Sequence, residues 1–468
     1  MKTAKLAFAI LIFTVFAAGA YAEENLSARD QVKLDQLIET AQESDLAYDI
    51  LESLTTEIGP RLAGSDAEAR ARDWGAAKLK SLGFKNVRIE TFELPYWNRL
   101  KEEASIVSPF PQHLHITALG NSVPTPAEGL QGEIVRFRTL STLKAATDES
   151  VRGKIVFVDE TMTRTQDGSG YGPAVAKRSG AANEASKRGA IAAIIRSVGT
   201  DSHRNPHTGN MRYEDGVTPI PTAALSNPDA DQLARSMARS KEPVVISINI
   251  QVETLAASVS GNVIGEIPGQ TDEIIVIGGH LDSWDLGTGA VDDGAGVAIT
   301  TAAAKLIGDL PGKPKRTIRV IMWGAEETGL WGAKAYAQAH SNELERHVLA
   351  TESDFGAGNI WQFQTGFDES KLAKAKVFFD ALRPLNISPG NNSAFGGPDV
   401  SPLKAAGVPV VTLRQNGWDY FDLHHTPDDT LDKVDPDDLK QNVAAWAATI
   451  FIASELDGHF RGDEGKAE

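Results

Sequence analysis

One stretch constrains this chain more than any other: residues 274–296, IIVIGGHLDSWDLGTGAVDDGAG. It begins as a short apolar run rich in β-branched residues, the pattern of a strand buried in a parallel sheet, and stops at Gly278 and Gly279. His280 and Asp282 sit at that stop, a glycine-rich loop then carries Asp292 and Asp293, and residues 295–307 are small and apolar enough to form a helix packed on a sheet. Open α/β sheets bind ligands beyond the carboxyl ends of their strands, so imidazole and carboxylate groups placed there can converge on a metal. The glycines at 287, 289, 294 and 296 lack the spacing of a phosphate-binding loop, and two acids among them would repel phosphate.

At 468 residues the chain exceeds one average domain, which predicts two or three units or one domain with a large insertion. Its 41% hydrophobic and 23% charged residues give the balance of a folded soluble protein. There is no cysteine, so disulfides, thiolate zinc sites and a cysteine nucleophile are excluded, and any metal must be held by His, Asp and Glu. A formal charge of −17 argues against a nucleic-acid partner. Residues 1–22, MKTAKLAFAILIFTVFAAGAYA, join two lysines to an apolar run and end in Ala20-Tyr21-Ala22. That is the pattern of a secretory signal peptide cleaved after Ala22, with a run too short for a comfortable membrane span. It predicts an exported chain, periplasmic or secreted, with no stable membrane insertion after cleavage; an uncleaved anchor is the alternative.

Residues 23–123 read as a leader and the first part of the main domain. They hold a helix over 24–43, two helices within 46–84 separated at Gly59-Pro60, and a strand at 87–94. Ser65 is the N-cap of the later helix, with Glu68 at the capping-box offset. Residues 124–252 change texture: strands at GEIVRF, GKIVFVDE, AIAAIIRS and VVISINI alternate with turns and with helices over 175–188 and 229–240. This predicts an inserted β-rich domain. Its long polar loop, 198–218, carries His203 and His207, which read as solvated residues, with contact to substrate across a cleft as the alternative. Strands and helices alternate again over 253–456, and 457–468 read as a frayed tail. The fold class is therefore α/β, a mostly parallel sheet flanked by helices, with the β-rich domain inserted.

Four acidic or imidazole clusters share one station, at or beyond the end of an apolar strand: His280 with Asp282, Glu326 with Glu327, Asp354, and His424 with His425. Singly, a Glu-Glu pair is ordinary surface and a His-His pair ordinary loop. Together, on the side of the sheet where ligands are expected, they favour a metal site. The motifs GGHLDS, AVDDGAG, WGAEETGLWGA, ESDFG and HHTPDDT, in this order, resemble the exopeptidase family that binds two zinc ions through a bridging aspartate. With its leader and insertion the chain is most similar to the carboxypeptidase Q group of that family, and the insertion is similar to a protease-associated domain.

The resemblance implies that His280 and Asp354 bind one zinc, Glu327 and His425 the other, and that Asp292 bridges both. His425 is taken over His424 because the family ligand directly precedes the threonine, here Thr426; Asp292 is taken over Asp293 because the bridge is the first acid of DDGAG. His424 stands where several relatives carry an oxyanion-stabilising tyrosine. Glu326, beside a ligand, is the expected general base and acid. Asp282 is expected to hydrogen-bond the His280 imidazole and fix its tautomer. Arg414 is placed either to pair with a substrate carboxylate or to form a structural salt bridge.

The expected activity is hydrolysis of dipeptides or short peptides by a metallo-exopeptidase, with the insertion restricting access to the site. A homodimer is implied by the resemblance alone. Two other readings stay open: a non-catalytic, receptor-like binding protein on the same fold, and a glutaminyl-cyclase-like acyltransferase with one zinc. The complete ligand set with Glu326 speaks against the first, and the bridging aspartate with two histidines against the second.

Overall fold

The computed structural model describes residues 25–462, so the segment read as a signal peptide lies outside the described residues. Three helices open the chain, α1 (Ala28–Glu43), α2 (Leu46–Glu57) and α3 (Asp66–Ser81). Ser65 caps α3, its hydroxyl accepting from the Glu68 amide at 3.1 Å. The reciprocal half of the capping box is not formed: the Glu68 carboxylate is buried and bonds Arg72 and Ser260 instead. Next, β1 (Lys85–Ser108) runs far beyond the strand expected at 87–94. It passes Pro95 because that residue falls at a bulge between Leu94 and Tyr96, where no ladder bond is required of it.

Strands β2 (Gln112–Leu114) and β3 (Ile116–Ala118) precede residue 124, and the insertion itself contains β4 (Leu130–Phe137), α4 (Leu140–Lys144), α5 (Asp148–Val151), β5 (Ile155–Val158), α6 (Tyr171–Lys187), β6 (Ala192–Arg196), β7 (Thr222–Leu225) and α7 (Asn227–Arg239). Strands β4 to β7 pair in parallel and β3 closes the edge antiparallel to β7. The middle strands are wholly buried between two apolar clusters, which is why they read as unbroken apolar runs.

From there β8 (Val245–Ile267) leaves the insertion and enters the main domain without a break. The rest comprises β9 (Ile274–His280), α8 (Ala295–Gly308), β10 (Thr317–Trp323), α9 (Trp331–Ala339), β11 (His347–Glu352), β12 (Ile360–Gly366), α10 (Ala375–Leu382), β13 (Ser388–Pro389), α11 (Ser401–Ala405), β14 (Val410–Gln415), α12 (Tyr420–Leu423) and α13 (Pro436–Glu455). A parallel centre in the order β14-β11-β9-β10 is flanked by antiparallel β12 and β8. Because β8 pairs with β4 at its start, with β10 at its end and with β1 along most of its length, all strands join one 14-stranded sheet.

Helices α8 and α13 are buried nearly all round, sandwiched between this sheet and α1 and α2, which accounts for their apolar composition. The frayed tail expected at 457–468 is corrected for its first half. Phe460 is fully buried, its ring 4.6 Å from that of Phe367, and its carbonyl accepts from the Asp368 amide at 3.0 Å. One aromatic in a polar tail carries no periodic signal, and residues 463–468 lie outside the described residues. Among the described residues no helix is long and apolar enough to cross a membrane.

Candidate metal centre

The carboxyl ends of the central strands carry the candidate ligands. His280 is the last residue of β9. A Cβ at the preceding Gly279 would lie 2.5 Å from the Asp293 carboxylate and 2.6 Å from the Gly296 backbone, so only glycine lets the start of α8 come this close. Asp293 uses that approach, accepting from the His280 amide at 2.9 Å and the Gly296 amide at 3.1 Å. Beyond β10, Ala325 takes a left-handed φ of 57° and turns Glu326 and Glu327 back toward the sheet end. Asp354 follows β11, and His424 and His425 follow α12.

These side chains meet at Asp292. His280 Nε2 lies 3.1 Å from Asp292 Oδ1 and 3.7 Å from Asp354 Oδ1, while His425 Nε2 lies 3.2 Å from Asp292 Oδ2 and 3.0 Å from Glu327 Oε2. Asp292 Oδ1 thus faces His280, which also meets Asp354, while Oδ2 faces His425, which also meets Glu327, with His424 Nε2 3.6 Å away. The ligand atoms of His280, Asp292 and Asp354 fall within 4.8 Å of one another, as do those of Asp292, His424 and His425. Asp292 Oδ2 and Glu327 Oε1 are buried without a hydrogen-bond partner, so their lone pairs converge on space that a cation would fill. Nitrogen and carboxylate donors of this kind suit zinc.

Both imidazoles are anchored through Nδ1. That of His280 faces the backbone carbonyl of Asp282 at 2.9 Å and that of His425 the carbonyl of Thr208 at 3.2 Å, which leaves Nε2 of each for the centre. The hydrogen bond expected from the Asp282 side chain to His280 is therefore not the one formed. Its carboxylate accepts instead from the amides of Glu326 at 3.0 Å and Glu327 at 3.3 Å, seating the pair. Trp284 Nε1 donates to Glu327 Oε2 at 2.6 Å.

Burial works against charging Asp292, yet His280 and His425 outweigh it and hold its carboxyl well below the usual range. Burial likewise opposes protonation of His425, but Glu327 and Asp292 push its pKa up to about 9. His424, stacked 3.5 Å from the His425 ring, is pushed well down by burial and by that neighbour. Burial raises Glu326 well above the carboxylate range, with Asp354 and Glu327 adding to it against His280.

A cavity of about 850 Å³ opens over these groups, lined on one side by the insertion (Asp167, Tyr171, Arg178, Asn210) and on the other by the main domain (Asn391, Phe395, Arg414). Arg414 projects from β14 over Trp361 and lies 3.5 Å from Asp167 of the insertion. His207 corrects the reading of its loop as solvated: it is buried, with Nδ1 2.7 Å from the His424 carbonyl and Nε2 2.8 Å from Asp201. The loop belongs to the centre because Thr208 brackets His425 with both its amide and its carbonyl. His203 is exposed, 3.2 Å from Asp428.

Two supporting residues, Asp429 and Arg61, receive no role in the sequence reading, and Asp293 is weighed there only as the alternative to Asp292. Asp429 accepts from the Val291 amide at 2.6 Å and so fixes the approach to Asp292; its place in HHTPDDT was the available signal. Asp293 was visible as the second acid of DDGAG. Fully buried Arg61 ties the Leu281, Thr288 and Gly289 carbonyls together from the opening segment, and nothing in its surroundings, IGPRLAG, marks it.

Comparison with known proteins agrees with this architecture. The profile of peptidase family M28 matches residues 262–450 and that of the PA domain residues 130–233. The chain is 36% identical over 414 residues to carboxypeptidase Q of Rattus norvegicus, spanning 88% of this chain and 86% of that protein. It is 52% identical to a solved peptidase M28 precursor from Shewanella amazonensis, with a TM-score of 0.90 over 94% of this chain and 99% of that one. A zinc aminopeptidase from Bacillus subtilis shares the fold at 20% identity, with a TM-score of 0.65 over 89% of this chain and 98% of that one.

Proposed function

The chain belongs to peptidase family M28, and on that premise we propose that it is a zinc-dependent exopeptidase that trims dipeptides or short peptides around two ions sharing Asp292. The observation that carries this reading is the split environment of Asp292, with His280, beside Asp354, at one oxygen and His425, beside Glu327, at the other. His280 and Asp354 would hold one ion, Glu327 and His425 the second. The bound zinc supplies a Lewis acid and a water acidified toward neutral pH.

What the chain itself contributes is proton handling, orientation and exclusion of solvent. Glu326 lines the cavity beside the ligands and is seated by Asp282 through its backbone amide. Its carboxylate takes a proton from the attacking water and returns it to the leaving nitrogen as the peptide bond breaks. Walls from both domains enclose a cavity of about 850 Å³, a size that favours short substrates over folded chains. The character of residues 1–22 supports export to the periplasm or the medium.

The test is Glu326→Gln in the zinc-loaded protein. Zinc content should stay at two per chain while turnover on short peptides drops by roughly 10²- to 10⁴-fold. Near-normal turnover at full metal content contradicts the assignment, and one zinc with pyroglutamate formation selects the acyltransferase.

A further inference from the structure

Attack on a peptide carbonyl turns its oxygen into an anion, and beyond the Lewis acid that bound zinc would supply, the centre holds few hydrogen-bond donors to meet it. With zinc bound, the ligand carboxylates would offer only lone pairs, and the two imidazoles, anchored through Nδ1, would turn lone pairs and not protons toward the ions. Arg414 is engaged with Trp361 and Asp167. His424 turns its Nε2 toward Asp292 Oδ2 at 3.6 Å.

The opposite wall differs. Arg178 on α6 is buried, and its Nη1 donates to the Tyr171 hydroxyl at 2.8 Å. Its Nε is buried with no partner. Its Nη2 lies 3.3 Å from His425 Nδ1, but that nitrogen carries the proton directed at Thr208 and cannot accept from it. Two donors of a buried guanidinium are therefore left over beside the metal ligands. Gly209 holds it in place: a Cβ there would sit 2.3 Å from the guanidinium carbon.

Tyr171 is fixed as firmly. Its ring stacks on Phe421 at 4.9 Å and meets His424 edge-on at 5.5 Å. The hydroxyl accepts from Arg178 and donates to no acceptor among the described residues, so its proton is free to point into the cavity. A bond accepted from a cation strengthens that donor. Burial, with Glu327 and Asp292 against Arg178, keeps its pKa above the ordinary 10, so the proton stays on oxygen.

We propose that Tyr171 and Arg178, both contributed by the insertion, donate to the oxygen of the scissile carbonyl as it becomes an anion. This rests on the peptidase reading above. As water oxygen bonds to carbon, the carbonyl π pair moves onto oxygen and is met by these donors, while Glu326 holds the proton removed from water. When the intermediate collapses, the pair returns, the C–N bond breaks, and that proton goes to the nitrogen.

The experiment compares the zinc-loaded full chain with Tyr171→Phe and Gly209→Ala on a dipeptide that the wild type cleaves, on its C-terminal amide, and with a phosphinate analogue whose tetrahedral anion mimics the intermediate. Tyr171→Phe should lower kcat by about 10²-fold, with KM within about twofold and zinc content unchanged. Phosphinate affinity should weaken by a similar factor, and acid and amide substrates should suffer equally. Gly209→Ala, which displaces the guanidinium and with it the bond that Tyr171 accepts, should give a loss of the same kind, read only at unchanged zinc content. The proposal is overturned by unaltered kcat, by loss confined to the free-acid peptide, which would make the pair a carboxylate reader, or by loss that tracks zinc content. A wild type that cleaves no peptide when loaded with zinc sinks the peptidase reading instead, before any variant is compared.

Discussion

In the metal-free protein His425 carries a proton that zinc has to displace, because its Nε2 is the atom presented to Glu327 and Asp292. With the pKa pushed up to about 9, the imidazole is charged at pH 7 to 8, and the fraction able to bind metal grows as the pH climbs toward 9. Zinc uptake should accordingly release protons, seen as a calorimetric heat that varies with the ionisation enthalpy of the buffer, and affinity should strengthen over that interval. Heat independent of buffer would contradict this. The ligand residues were legible because each ends a recognisable apolar strand or sits in an ordered motif. Thr208, Tyr171 and Arg178 were not, since Thr208 and Arg178 reach His425 across 217 and 247 residues of sequence and Tyr171 meets His424 through its ring from the same insertion.

Buried strands such as β5, β6 and β9 could be read directly, because burial on both faces demands apolar runs. The pattern gave out where tertiary context overrides it. Strand β1 continues past a proline at a bulge, β12 mixes glutamines into its alternation, and the chain end is pinned by one ring. That last feature has a measurable consequence. Phe460→Ala removes a fully buried aromatic from the side of Phe367 and Phe378, and should cost about 3–5 kcal/mol in denaturant unfolding. A loss within a few tenths of a kcal/mol would mean that the segment adds nothing to the core.

For the molecule as a whole, the insertion is part of the centre. Besides Thr208 and His207, Arg164 donates to both oxygens of Asp422, at 2.6 and 2.7 Å, and to the Trp418 carbonyl at 2.6 Å, all on the segment leading to His425. His207→Ala frees the His424 carbonyl and should weaken one of two zinc equivalents by roughly 10- to 100-fold while sparing the other, as resolved by stepwise metal titration. Equal weakening of both would show a general loss of structure. The continuity of β8 bears on how peptides come and go. A strand bonded to β4 at one end and to β10 at the other links the two halves, and between those ends it is paired with β1 alone, so a tilt of one half against the other would bend this two-stranded ribbon without breaking its ladder. The wall that carries Tyr171 and Arg178 would then ride on a leaf spring, moving as one piece relative to His425.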